Sequence, residues 1–178
     1  RQTSLALFID IKMKYLQDRA SAISPKEDYE NLLNSKKSLR IKLGVDPTAP
    51  DVTLGWYAIL RALRKFQEYG HTAVLILGEF TAQVGDPSGK SETRSKLESD
   101  EINKNSKGVL PIIENILHKE NLEIVSNNDW LSKLTTSDLV NLASSTTLAQ
   151  MLEREDFSSR YKNNSPISLM EFFYPLFQ

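Results

Sequence analysis

Two stretches of this chain concentrate the residue types that handle phosphate. Leu43–Trp56 runs Leu-Gly-Val-Asp-Pro-Thr-Ala-Pro-Asp-Val-Thr-Leu-Gly-Trp, and Gly85–Arg94 runs Gly-Asp-Pro-Ser-Gly-Lys-Ser-Glu-Thr-Arg. In each, an apolar strand runs into a turn rich in Gly, Pro, Asp and Thr, with helical periodicity after it. Gly44, Asp46 and Thr48 are expected at the carboxyl end of the first buried strand, near the switch point at which open α/β sheets bind ligands. Gly44 carries no side chain, so a nucleotide could lie against its backbone, and Thr48 offers a hydroxyl to a phosphate oxygen. Taken alone, Asp-Pro-Thr reads more simply as a tight turn. Gly55 falls in the first turn of the next helix, where unpaired N–H groups and the positive dipole end attract anions. Glycine in a helix costs about 1 kcal/mol relative to alanine, so Gly55 implies close approach. Either a planar group such as a base or a neighbouring strand fits that gap.

Gly85–Lys90 has the composition of a phosphate loop without the six-residue spacing of a P-loop. Lys90 and Arg94 follow the flexible turn and could supply a point charge and a bidentate fork to a polyphosphate; on charge alone each reads as solvated surface. Asp86 is placed to receive a ligand ammonium, although a turn-capping aspartate is the usual explanation. Tyr174 and Gln178 stand four residues apart on the last helix and share a face. Among Phe172, Phe173, Leu176 and Phe177 they are polar positions in an apolar wall, or members of an amphipathic core. His71 and His118 have no partnered acid in any motif and receive no catalytic role. No metal site is expected.

These residues need a scaffold, and the periodicities supply one. A short helix is expected over Lys26–Asn34 and an alternating strand over Leu39–Val45. Pro50 and Asp51 are expected to start a helix with its apolar stripe on Leu54, Ala58, Ile59, Ala62, Leu63 and Phe66, closed by Gly70. Thr72–Leu77 is a continuous apolar run, typical of a strand buried on both faces of a parallel sheet. Phe80–Arg94 reads as loop, Asp100–His118 as helix and Leu122–Val125 as a short third strand. From Trp130 onward the pattern is helical, with polar breaks at Thr135-Thr136, Ser144-Ser145 and Asn163–Pro166. The fold expected is α/β, a Rossmann-like parallel sheet with flanking helices followed by a helical segment. It divides into a helical lead-in over 1–38, the first half of a nucleotide-binding domain over 39–128, and a helical connecting segment with the start of a substrate-pocket helix over 129–178.

Composition bounds the function class. The net charge of −1 advertises no global basic field for nucleic acid. The absence of cysteine excludes disulfides and thiolate chemistry and fits a reducing, cytoplasmic compartment. No apolar run reaches the roughly 20 residues of a membrane helix, and Asp10, Lys12 and Lys14 interrupt the opening segment that a secretory signal would need. The chain starts without Met and stops inside an aromatic-rich helical pattern, so it is expected to be part of a longer protein.

Together the two motifs resemble tyrosyl-tRNA synthetase, a class I aminoacyl-tRNA synthetase. The likeness runs from about Leu39 to Gln178 and is strongest at Lys42–Asp51, Gly85–Arg94, Met151–Tyr161 and Pro166–Gln178; Asp18–Ile23 and Leu33–Leu39 resemble the family's lead-in. The resemblance implies condensation of tyrosine with ATP, as its Mg²⁺ complex, to tyrosyl-adenylate, and transfer of the tyrosyl group to tRNA(Tyr), with no tightly bound cofactor. It places Gly44, Asp46, Thr48 and Gly55 at the nucleotide. It places Lys90 and Arg94 on a mobile loop at the leaving pyrophosphate, and Asp86, Tyr174 and Gln178 at the substrate ammonium. It also implies a homodimer formed through roughly Asp129–Asn164.

One signature departs from the family. Its His-x-Gly-His stands here as Thr53-Leu54-Gly55-Trp56, and those histidines donate to the ATP phosphates in the transition state. Thr53 can donate one hydrogen bond, and Trp56 one indole N–H on a larger body. Losing one such donor typically costs about 10²–10³ in rate. Two readings stay open beside sequence change in the source: a ligase that works with Thr48, Thr53, Trp56, Lys90 and Arg94, or a paralogue that binds tyrosine or nucleotide in a regulatory role.

Overall fold

The computed structural model describes residues 18–35, 37–85 and 97–177. Its elements in chain order are α1 (Lys26–Asn34), β1 (Arg40–Val45), α2 (Leu54–Glu68), β2 (Thr72–Leu77), α3 (Thr81–Val84), α4 (Ser99–Ile116), β3 (Leu122–Ser126), α5 (Asn128–Leu131), α6 (Thr136–Ala143), α7 (Leu148–Leu152), α8 (Glu155–Lys162) and α9 (Leu169–Phe177). The strands form one parallel, Rossmann-like sheet in the order β1-β2-β3. Its register is set by Thr72 N–H donating to Leu39 O at 2.8 Å, Gly78 N–H to Val45 O at 2.8 Å and Asn127 N–H to Leu77 O at 2.9 Å. The chain gathers into two compact units, Arg1–Lys42 with Thr53–Val74 and Glu114–Glu123, and Leu43–Val52 with Leu75–Ile113 and Ile124–Gln178. No helix among the described residues is long and apolar enough to cross a membrane.

In the first unit, α2 begins at Leu54, three residues beyond the expected start at Asp51, because Thr53 is its N-cap. The Thr53 hydroxyl oxygen accepts from Trp56 N–H at 3.3 Å, satisfying a donor that the helix itself leaves unpaired. The buried stripe also differs from the expected one. It consists of Leu60, Leu63 and Gln67, while Leu54 is 87% and Ile59 53% exposed. Gln67 takes a core position because its amide is fully used: Nε2 donates to His118 O (2.8 Å) and Asn121 O (2.9 Å), and Oε1 accepts from His118 N–H (2.9 Å). A buried polar group satisfied in this way joins a core without penalty. Gly70 closes the helix with φ +88°, a conformation that favours glycine. His71 accepts from Leu39 N–H through Nδ1 at 3.2 Å, a structural role for the imidazole.

β1 alternates in burial as its sequence pattern predicts, and it is buried only at its carboxyl end. Only Val45 is buried and the rest alternates, because β1 borders the described sheet while β2 occupies its centre. The sequential order also contains no reversal among the described strands, so no switch point arises there. In the second unit α4 buries Ile102, Asn105, Ser106, Val109 and Ile113 along one face. The expected loop from Phe80 starts instead with α3, formed because Ala82 N–H reaches Gly78 O and Gly85 N–H reaches Thr81 O. The helical tail breaks at the polar positions anticipated and, in addition, at Glu153 and Arg154 between α7 and α8, with capping boxes at Thr135/Asp138 and Thr147/Gln150.

Phe157 on α8 is fully buried and meets the Phe172 ring of α9 at 4.7 Å. Beside this contact Arg160 clasps the Glu171 carboxylate with two guanidinium nitrogens, each side chain 6% exposed. Burial works to raise the Glu171 carboxyl, but the Arg160 hydrogen bonds and the Ser168 N–H outweigh it and hold the group below its ordinary value. The ionised form is therefore bound more tightly in the folded state. That stability is present above the unfolded value of about 4.3 and is lost as pH falls through the lower folded one. Glu171→Gln in the full-length protein should cost about 3–5 kcal/mol at neutral pH, because Arg160 is left buried without its partner. In urea titrations at a series of pH values the gap between parent and variant should hold near neutrality and narrow below about pH 4.3. A gap constant through the acid range would contradict this linkage.

Candidate active site

The three parallel strands end at one level, and the next residue of each is Asp46, Gly78 or Asn127. These positions begin a polar network inside the second unit. Asn127 is 4% exposed and its Oδ1 accepts from Phe80 N–H at 2.8 Å, which turns its Nδ2 toward Thr81 Oγ1 at 3.0 Å. Thr81, 1% exposed, donates to Asp46 Oδ1 at 2.7 Å. On the other carboxylate oxygen, Tyr174 OH donates to Asp46 Oδ2 at 2.8 Å across 128 residues of sequence. Gly78 makes room for this arrangement: a Cβ there would lie 1.8 Å from Asp46 Oδ1 and 2.5 Å from Thr81 Oγ1.

The loop after β1 is held from two sides. Thr48 N–H donates to Asp46 O at 2.8 Å. Asn105 of α4 donates to Pro47 O at 3.1 Å, and the absence of a side chain on Gly108 lets Pro50 O approach to 2.9 Å from where its Cβ would stand. Thr48 itself is exposed. Its hydroxyl therefore sits on a fixed loop with its face toward solvent. Gly44 is exposed as well, and a Cβ there would meet nothing within 4 Å.

The first unit holds Thr53, Gly55 and Trp56 in the opening turn of α2. Packing of helix on strand does not account for Gly55, since a Cβ would meet only Thr53 Oγ1, at an ordinary 3.7 Å, and the residue is exposed. Thr53 accepts in its capping bond and keeps its own proton to donate. Asp86, Lys90, Arg94 and Gln178 lie outside the described residues. Among the described residues no group of three or more His, Asp or Glu side chains could hold a metal ion.

The sequence-based reading thus placed Asp46 and Tyr174 on different ligands, while the structure bonds them to each other. It passed over Gly78, Thr81 and Asn127. Their signal was available: each parallel strand gives way at once to a Gly or an acid or amide side chain, and the ends of such strands share one edge. Gly78→Ala should displace the Asp46 carboxylate and destabilise the full-length protein by about 1–3 kcal/mol, measured by chemical denaturation. Unchanged stability would show that Asp46 does not occupy the space beside Gly78.

Comparison with known proteins bears on what this edge serves. A family model described as tRNA synthetases class I (W and Y) matches residues 34–178. Among curated proteins, the tyrosine–tRNA ligase of Carboxydothermus hydrogenoformans is 50% identical over 152 residues, covering 85% of this chain and 37% of that protein. The tyrosine–tRNA ligase of Moorella thermoacetica is 44% identical over 171 residues, covering 94% of this chain and 41% of its own length. The chain therefore spans about two fifths of these relatives. Among solved structures, tyrosyl-tRNA synthetase from Archaeoglobus fulgidus complexed with L-tyrosine superposes with a TM-score of 0.73 at 22% identity, covering 96% of this chain and 50% of that one. The tryptophanyl-tRNA synthetase of Plasmodium falciparum gives 0.62 at 18%, covering 85% and 40%. At those identities the structures speak for the fold. With the family model spanning most of its residues, this chain belongs to the class I tRNA synthetases of the tryptophanyl and tyrosyl group.

Proposed function

We propose that the protein carrying this chain is a tyrosine–tRNA ligase, which activates tyrosine with ATP and passes the tyrosyl group to tRNA(Tyr) in cytoplasmic translation. The observation that carries the proposal is the Tyr174–Asp46 hydrogen bond. It ties the residue assigned to the amino acid to a position two residues before Thr48, the residue assigned to phosphate. Activation needs that adjacency, because the tyrosine carboxylate must attack the α-phosphorus in line while pyrophosphate leaves. Relatives named tyrosine–tRNA ligase at 44–50% identity support the choice of amino acid.

The chemistry requires no covalent protein nucleophile. Positioning and charge stabilisation are enough. Thr48 contributes a hydroxyl to a phosphate oxygen, and Gly44 and Gly55 leave backbone accessible to the nucleotide. Lys90 and Arg94 neutralise the departing pyrophosphate, while Asp86, Tyr174 and Gln178 hold the ammonium. Mg²⁺ enters with ATP as part of that substrate. Thr53 and Trp56 stand where the family has donor histidines, each with one donor of its own. Exposed Val140 (63%) and Leu148 (62%) on α6 and α7 support pairing with a second copy of the chain.

Tyrosine-dependent ATP–pyrophosphate exchange by the full-length protein tests this directly. Exchange should be present and should rise about 10²-fold or more in Thr53→His/Trp56→His, as transition-state donors return. Silence in the parent with activity in the double variant would establish a paralogue that binds without activating; silence in both would overturn the ligase. Gly55 gives a second test. Gly55→Ala should stabilise α2 by up to about 1 kcal/mol, since the new Cβ meets only an ordinary contact. It should also raise the KM for ATP. Unchanged ATP kinetics would remove Gly55 from the nucleotide site.

A further inference from the structure

We propose that Asp46 is a positioning residue for the amino-acid substrate: it takes the phenolic proton of Tyr174 and so makes that hydroxyl an obligatory acceptor, matched to a ligand ammonium. The inference rests on the ligase reading, which assigns Tyr174 to the ammonium. It moves Asp46 from the nucleotide, where the family resemblance put it, to the other substrate.

The directions of these four hydrogen bonds follow from the groups that make them. A backbone N–H can only donate, so Phe80 fixes Asn127 Oδ1 as acceptor and Asn127 Nδ2 as donor. Thr81 Oγ1, having accepted from Asn127, must send its single proton to Asp46 Oδ1. Asp46 is a carboxylate and can only accept, so at 2.8 Å the shared proton comes from Tyr174. A phenol has one proton. Whatever else meets the Tyr174 oxygen must therefore bring a donor, and an ammonium offers three donors and no acceptor. A substrate carboxylate has no proton to offer and is kept from this end of the site. The same polarity that holds the ammonium thus turns the reacting carboxylate away from Tyr174. Gly78 allows this, because any Cβ would take the place of Asp46 Oδ1.

Asp46→Asn tests the polarity with little change of shape. Thr81 still accepts from Asn127 and still needs an acceptor at position 46, so the new amide oxygen faces Thr81 and the new NH₂ faces Tyr174. The Tyr174 hydroxyl then accepts from position 46 and points its proton at the substrate. Calorimetric titration of the full-length protein without ATP should show tyrosine binding weakened roughly 10- to 100-fold. Binding of 3-(4-hydroxyphenyl)propanoate, which lacks the ammonium, should change less than about twofold, and in a Tyr174→Phe background Asp46→Asn should weaken tyrosine less than about twofold. The KM for ATP should stay near the parent value. Equal losses for tyrosine and the analogue, additive effects of the two substitutions, or a loss confined to ATP would each overturn the inference. A parent protein that binds neither ligand would overturn the ligase reading, and the inference with it.

Discussion

A carboxylate drawn out of bulk water must find donors, and Asp46 finds them in two hydroxyls that come from 35 and 128 residues away. That requirement organises the second unit. The parallel register brings Gly78 beside Asp46, and glycine at that position leaves the carboxylate its place. Asn127 at the end of β3 aligns Thr81, and α9 must be set so that Tyr174 reaches Asp46 Oδ2. The Arg160–Glu171 pair fixes α9 as well, three residues before Tyr174 on the same helix. The site is held by a few charge-assisted bonds of defined direction, with the apolar core behind them supplying most of the stabilisation.

Much of the scaffold was legible in the sequence where local pattern and tertiary demand agree. α1 over Lys26–Asn34 and β2 over Thr72–Leu77 follow the sequence-based bounds residue for residue, because one ends in a polar turn and the other is a closed apolar run. The pattern misled where a polar group took a structural task. Gln67 occupies a core position by pairing with backbone at His118 and Asn121, while Leu54 and Ile59 are exposed. Thr53 begins α2 by capping it, a role its hydroxyl performs whatever else the residue does. Asp46 and Tyr174 were each identifiable from motif context, but periodicity carries no information about a bond spanning 128 residues.

The altered signature takes a physical form in this setting. Threonine is among the better N-caps, so Thr53 leaves α2 well started while retaining one proton to donate. Gly55 beside it is required neither by positive φ nor by packing. Gly44 stands in the same condition at the end of β1. Thr48 is likewise exposed on the loop after β1, whereas Asp46 has both of its oxygens on protein hydroxyls.

A crystal structure of the full-length protein with bound tyrosine tests the central claim most directly. The account predicts the tyrosine ammonium within hydrogen-bonding distance of the Tyr174 hydroxyl, with that hydroxyl still on Asp46 Oδ2 and Thr81 still on Oδ1. An Asp46 carboxylate released from Tyr174, or an ammonium bound away from Tyr174, would contradict it.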